Sequence, residues 1–170
     1  MKHLINTISI FAVLLLCSCG KNEEEALKEF KTEMETLAVV IDQVMAVDME
    51  SADGMKAVAR LASKMEQVET VGLPADLKKA FEECQEATTK MAEHFMNPPF
   101  PLELAEDEEA LQEWIAKKDP EFIINFEANV DKWGEKMERL GEPVDTAWLD
   151  LEVAFKKHKI DIDISGLTRG

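Results

Sequence analysis

The chain has 170 residues, with 35 acidic and 19 basic side chains and a formal charge of −16 at pH 7. With 46% apolar and 32% charged residues and only 7 Gly and 6 Pro, the composition is typical of one packed domain rather than of a disordered or collagen-like chain. The negative charge repels phosphate groups, so we expect no nucleic-acid partner and disfavour anionic membrane surfaces. Basic partners stay open.

Residues 1–18 predict a secretory signal peptide. They contain one cation, Lys2, no acidic residue and an apolar run from Ile8 to Cys17. A permanent membrane-spanning helix needs about 20 apolar residues, so this run is too short for one. We therefore expect residues 1–18 to be cleaved from the mature protein.

The end of that run, Leu16-Cys17-Ser18-Cys19, resembles the lipobox of bacterial lipoproteins, where a small residue precedes the cysteine that is lipidated. Cys19 fits this role better than Cys17, because Leu16 would occupy the position that requires a small side chain. The resemblance implies two or more acyl chains, such as palmitate, on Cys19, which is enough for stable anchoring to a lipid bilayer. Gly20, rather than Asp, follows the cysteine, which in enterobacterial-type lipoproteins implies forwarding to the outer membrane.

Residues 19–26 are then expected to form the lipidated N-terminus and a tether. The acidic run from Glu23 to Glu25 resembles the surface-export signals of some lipoproteins. Acidic side chains also favour the start of a helix, which is the alternative interpretation.

Apolar residues spaced by three and four predict three helices after the tether. The first has Leu27, Phe30, Met34, Leu37, Ile41 and Val44 on one face, with Ala38 and Met45 beside them; the second has Met55, Val58, Leu61 or Ala62, Met65 and Val68; the third has Leu77, Phe81, Cys84, Thr88, Met91 and Phe95. Ser51 is placed to cap the second helix. Gly72-Leu73-Pro74 combines a glycine that ends a helix with a proline that begins the next.

The second half of the chain predicts a short helix and two longer ones. Prolines 98, 99 and 101 end the third helix, and a short amphipathic helix is expected from about Asp107 to Lys117. Asp119-Pro120 should begin a helix with Ile123, Phe126, Val130, Trp133, Met137 and Leu140 on its apolar face. Gly141-Glu142-Pro143 repeats the earlier joint, so we expect a break there and a final helix carrying Val144, Trp148, Leu151, Phe155 and His158.

Together these elements predict an all-α fold, an antiparallel up-down bundle of four to six helices over residues 27–159. The only alternating apolar stretch, Ile160 to Ile164, has no second strand to pair with. We expect residues 160–170 to form an extended tail that packs on the bundle, or else binds a partner.

No motif in the sequence points to catalysis. Only His94 and His158 remain after the predicted cleavage, and the residues three positions before them, Met91 and Phe155, exclude a di-iron Glu-x-x-His site. Zinc, covalent haem and phosphate-loop motifs are also absent from the sequence. We expect no catalytic residue and no metal site, and we interpret Cys84 and the three tryptophans as packing residues.

The resulting hypothesis is a membrane-anchored periplasmic or cell-surface lipoprotein that acts as a non-catalytic binding or structural module. Its ligand and oligomeric state are left open, and a protein of the cell envelope is one candidate partner.

A haem-binding bundle is the alternative. Met34-Glu35-Thr36-Leu37 and the late helix ending Phe155-Lys156-Lys157-His158 resemble the layout of cytochrome b562, in which Met and His ligate haem b from the first and last helices. The resemblance implies Met34 and His158 as haem ligands and electron transfer as the function. Five helical passes, however, would place these two residues at opposite ends of the bundle.

Overall fold

A computed structural model describes residues 22–49, 51–162 and 164. The predicted signal peptide and Cys19 lie outside the described residues.

Five α-helices account for most of the described chain, which confirms the all-α class. They are α1 (Glu23–Met45), α2 (Ala52–Met65), α3 (Ala75–Phe95), α4 (Glu108–Ala116) and α5 (Pro120–Lys157), with one 3-10 turn at Leu102–Leu104. The described part of the chain contains no strand. None of these helices is both long enough and apolar enough to cross a lipid bilayer.

Side-chain caps fix the helix starts that the sequence predicts. Ser51 Oγ accepts a hydrogen bond from the backbone N–H of Gly54 at 3.0 Å, and the carboxylate of Asp119 accepts one from Phe122 at 2.9 Å. The side-chain oxygen of Asn22 caps α1 in the same way. Helix α1 therefore begins at Glu23, inside the segment 19–26 that was expected to be a tether, and Glu23 to Glu25 form its acidic first turn.

One core joins α1, α2, α3 and the last third of α5. The predicted apolar faces of the first three helices are buried, except that Leu27, Ala38 and Val68 are half-buried and Met45 is exposed. Near the start of α1, the Phe30 ring lies edge-on to Phe81 at 5.3 Å and to Phe155 at 6.0 Å between ring centroids. Met45 is exposed, so its predicted place on the buried face is wrong.

The predicted break at Gly141-Glu142-Pro143 is wrong, because α5 continues from Pro120 to Lys157 with Pro143 inside it. Proline has no N–H to donate to the carbonyl of Arg139, so a helix through this position lacks one hydrogen bond. The helix continues because residues on both sides of Pro143 pack on the same core: Trp133 and Met137 before it, Trp148 after it. Gly72 has φ 86° and does turn the chain.

The described residues of the predicted C-terminal tail, 160–162 and 164, pack against the core, and the rest of that tail lies outside the described residues. Lys159 has φ 57°, and the N–H of Ile160 donates to the carbonyl of Phe155 at 2.9 Å, which closes the end of α5. Ile160 and Ile164 are buried and Ile162 is half-buried. These burials favour the packing interpretation of the tail over a free partner-binding segment.

The two glycine–proline joints should respond oppositely to alanine. A Cβ at Gly141 meets nothing within 4 Å, so Gly141→Ala should raise the free energy of unfolding by about 0.5–1 kcal/mol. Gly72→Ala, the matched control, should lower it by about 1–2 kcal/mol because φ is positive. Urea unfolding of the full chain in a mild detergent measures both, and a loss of stability in Gly141→Ala would contradict the continuous helix.

Candidate functional site

Helix α4 and the first third of α5 form a part of the molecule that the core does not cover. We call residues 107–132 the arm. Helix α4 contains no buried residue, and every buried residue of α5 lies between Ala147 and Phe155. Along the arm, the apolar face predicted for α5 therefore does not pack into the core.

Aromatic contacts hold the arm together locally. The rings of Trp114, Phe122 and Phe126 contact one another, with centroids 5.4, 5.7 and 6.2 Å apart. The Lys118 ammonium lies 4.2 Å from the centre of the Trp114 ring, a cation–π contact. These four residues lie on α4, the turn after it and the start of α5, so the arm is a short helical hairpin.

Large apolar side chains on the arm remain in contact with water. Ile123 is 43% exposed and Ile124 is 78% exposed. Six further residues are half-buried and do not belong to the side chains that pack against the core: Leu111, Trp114, Ile115, Phe122, Phe126 and Val130. An apolar group of this size outside the core is typical of an interaction surface.

Two reciprocal hydrogen bonds fix the base of the arm. The ring nitrogen Nε2 of His94, at the end of α3, donates to the backbone carbonyl of Trp133 at 2.8 Å, and Trp133 Nε1 donates to the carbonyl of His94 at 3.1 Å. Phe100 packs edge-on against Trp133 at 6.1 Å. Trp133 is half-buried, and of the three predicted core tryptophans only Trp148 is fully buried.

At the other end of α3, Asp76 binds Lys157, the last residue of α5, and His158, which caps that helix. Lys157 Nζ lies 2.5 Å from one carboxylate oxygen of Asp76, and His158 Nε2 lies 3.1 Å from the other. The hydrogen bonds from Lys157 and then His158 hold the pKa of the Asp76 carboxyl far below its usual value. The sequence predicted both Asp76 and His158 as helix-end residues, but their pairing links positions 82 residues apart.

The two residues that the haem alternative requires as ligands, Met34 and His158, are both occupied by other contacts. Met34 is completely buried in the core, and His158 Nε2 is engaged by Asp76. The two residues lie toward the same end of the bundle, since Phe30, one turn before Met34, contacts Phe155, one turn before His158. The opposite-ends expectation is therefore wrong, because it counted α5 as two passes. As arranged, these side chains do not fit a haem, and we derive no step through one.

Cys84 lies in the core of the described chain. Burial raises the pKa of its thiol well above the usual value, and the neighbouring Thr88 hydroxyl opposes this only weakly. Thr88 Oγ1 is buried and makes no hydrogen bond of good geometry. A protonated thiol in this position packs as a small apolar group and is a poor nucleophile.

An open groove of about 640 Å³ runs between α3 and α5 beside Pro143. Its acidic lining consists of Glu83, Glu86, Glu142 and Asp150, and Lys90 Nζ lies 2.6 Å from Glu86. No three ligating side chains of the described residues converge as a metal site. The groove attracts cations in general but contains no feature that selects one.

No protein family, curated protein or solved structure matches the chain at a significant level. Functional assignment therefore depends on the residues themselves. The arm is the feature that our sequence reasoning missed. The run Phe122-Ile123-Ile124 could have revealed it, because three consecutive apolar residues spread over most of a helix circumference and cannot all face one core.

Protonation of Asp76 should lower the free energy of unfolding at acid pH. Because its pKa is lower in the folded than in the unfolded protein, its stabilising effect is full above the unfolded pKa of about 4 and is lost as the pH falls toward the folded value. The stability difference between wild type and Asp76→Asn, measured by urea unfolding from pH 5 to pH 2, should therefore shrink as the pH falls below about 4.

Asp53→Asn is the matched control. It removes a carboxylate from the first turn of α2, where the side chain pairs with Lys56 of the same helix at 3.9 Å. If the stability loss in Asp76→Asn depended on pH in the same way as the loss in Asp53→Asn, the contacts of Asp76 with Lys157 and His158 would not stabilise the fold as proposed.

Proposed function

We propose that the chain is a lipid-anchored, non-catalytic binding module of the bacterial cell envelope, and that it binds its partner through the arm. The observation that carries this proposal is the group of exposed and half-buried apolar side chains on residues 107–132, separate from the core. Trp114, Phe122 and Phe126 pack on one another, and the neighbouring exposure of Ile123 and Ile124 favours an interaction site.

The helix contacts support an antiparallel up-down arrangement. Helix α1 contacts α2, α2 contacts α3, and α3 contacts α5. The start of α3 lies beside the end of α5 at Asp76 and His158, and the end of α3 lies beside Trp133. Short connections between consecutive helices are typical of up-down bundles. In this arrangement α1, α2, α3 and residues 133–157 are the four passes, and the arm is an extension of the last.

Lipidation would orient the module on its membrane. Cys19 precedes the Asn22 cap of α1 by three residues, so the end of the bundle that contains the start of α1 would face the bilayer. Helix α1 has 23 residues and is about 34 Å long. The arm begins beyond the other end and extends about 20 Å further along the 13 residues of α5 before Trp133. It would therefore point away from the membrane, toward a partner in the periplasm or outside the cell.

The outer membrane or the cell surface is the proposed location. The support is the lipobox resemblance at Leu16 to Cys19 and the Gly that follows it. The bilayer itself is then one partner, held through the acyl chains on Cys19. We assign no catalytic residue and no cofactor to the module.

Cysteine substitutions distinguish the predicted lipidation site from its neighbour. Mass spectrometry of the mature N-terminus should find acylated Cys19 in wild type and in Cys17→Ala, because Ser18 still precedes Cys19 in that variant. Cys19→Ala should carry no acyl chain and leave the membrane fraction or accumulate as precursor. An unmodified wild-type N-terminus at another residue, or acylation of Cys19→Ala, would contradict the anchor.

A further inference from the structure

We propose that the arm docks a positively charged amphipathic helix of a partner protein. This inference rests on the proposed function, because it specifies the chemistry of the partner that the arm would bind. Two properties of the arm carry it: an excess of acidic side chains, and apolar side chains exposed among them.

The charge of the arm selects a basic partner. Residues 107–132 contain eight acidic and three basic side chains, about twice the negative charge per residue of the whole chain. Two of the three cations are already engaged, since Lys117 lies 3.6 Å from Glu113 and Lys118 lies over Trp114. Glu108, Glu121 and Glu127 are exposed. A partner with lysine or arginine side chains gains from this field in both affinity and association rate.

The negative charge of the arm disfavours three other classes of partner: a second copy of this chain, an anionic bilayer and nucleic acid. A second copy of this chain would bring an equally acidic arm against the first, and an anionic bilayer would be repelled. Nucleic acid is repelled for the same reason. The arm thus combines an apolar contact area, which favours association, with a charge that excludes acidic surfaces.

The shape of the arm favours a helical partner. Trp114 contacts Phe122 and Phe126, so their rings join α4 to the start of α5, and Ile123 and Ile124, which follow Phe122 on α5, are exposed. An amphipathic helix can contact such apolar side chains with its own apolar residues spaced by three and four.

Binding of a defined probe tests this inference. The full mature chain, purified as its host produces it, is mixed with zwitterionic phosphatidylcholine vesicles, with empty vesicles as the blank. The probe is a fluorescent synthetic helix of about 18 residues with Leu on one face and Lys on the other, a length that permits helix formation. Fluorescence anisotropy should show saturable binding that weakens as salt is added.

Matched variants locate the binding site. Ile123→Ser with Ile124→Ser should weaken binding of the probe at least about tenfold. Val39→Ser with Val71→Ser is the control, because these residues are 59% and 58% exposed on other parts of the surface, and it should change the affinity less than about twofold. Circular dichroism confirms that each variant folds. All four side chains are exposed, so a loss of binding cannot come from a damaged core.

The outcomes separate the two proposals. If a Leu/Glu probe binds the arm as tightly as the Leu/Lys probe, the arm is still a binding surface but the cationic preference is wrong. Equal binding by the two double variants, no binding of the Lys probe by wild type, or self-association of wild type through Ile123 and Ile124 in sedimentation would overturn the inference. Lipidation at Cys19 is measured independently and stands or falls separately.

Discussion

The pairing of α3 with α5 is the constraint on which the rest of the molecule depends. Helix α3 has 21 residues and α5 has 38. Both ends of α3 are tied to α5, at Asp76 by Lys157 and His158 and at His94 by Trp133. The pairing ends at Trp133, so the first third of α5 extends past the core and, with α4, becomes the arm. The arm extends in line with the packed part of α5 because the helix is continuous through Pro143.

The arm differs from the rest of the helical bundle in how much of its apolar surface is buried. Phe30, Phe81 and Phe155 meet in a core that excludes water. Trp114, Phe122 and Phe126 meet one another and remain half-exposed. The hydrophobic effect therefore stabilises the bundle on folding, while part of the apolar area of the arm stays available for binding. Under the proposed function, the acidic residues around that area would restrict its partners to basic ones.

Sequence periodicity predicted where the helices lie, but not which of their apolar faces are buried in the core. Phe30 and Met34 on α1 have the same spacing as Phe126 and Val130 on α5, yet only the first pair is buried. Periodicity shows that a helix has an apolar face, whereas burial depends on whether another helix reaches that face. The two glycine–proline joints differ similarly: Leu73 is buried and Glu142 is exposed, and the turn forms only where it places an apolar residue in the core.

The candidate sites were predictable to different extents. His158 could be assigned to a helix end, but its Asp76 partner is distant in sequence and required the fold. The lipid anchor is a hypothesis about Cys19 that depends on sequence alone, because this residue lies outside the described part of the chain. The arm was hidden because its apolar spacing imitates that of a core helix.

Native-state hydrogen exchange along α5 tests the account most directly, since the arm and the bundle share this one helix. We expect amides of residues 120–132 to exchange through local opening, at a lower free energy than residues 133–157, whose exchange should follow global unfolding. Uniform protection along the whole of α5 would show that the arm is part of the same cooperative unit as the core. That result would contradict the separation of the arm, on which both proposals about binding depend.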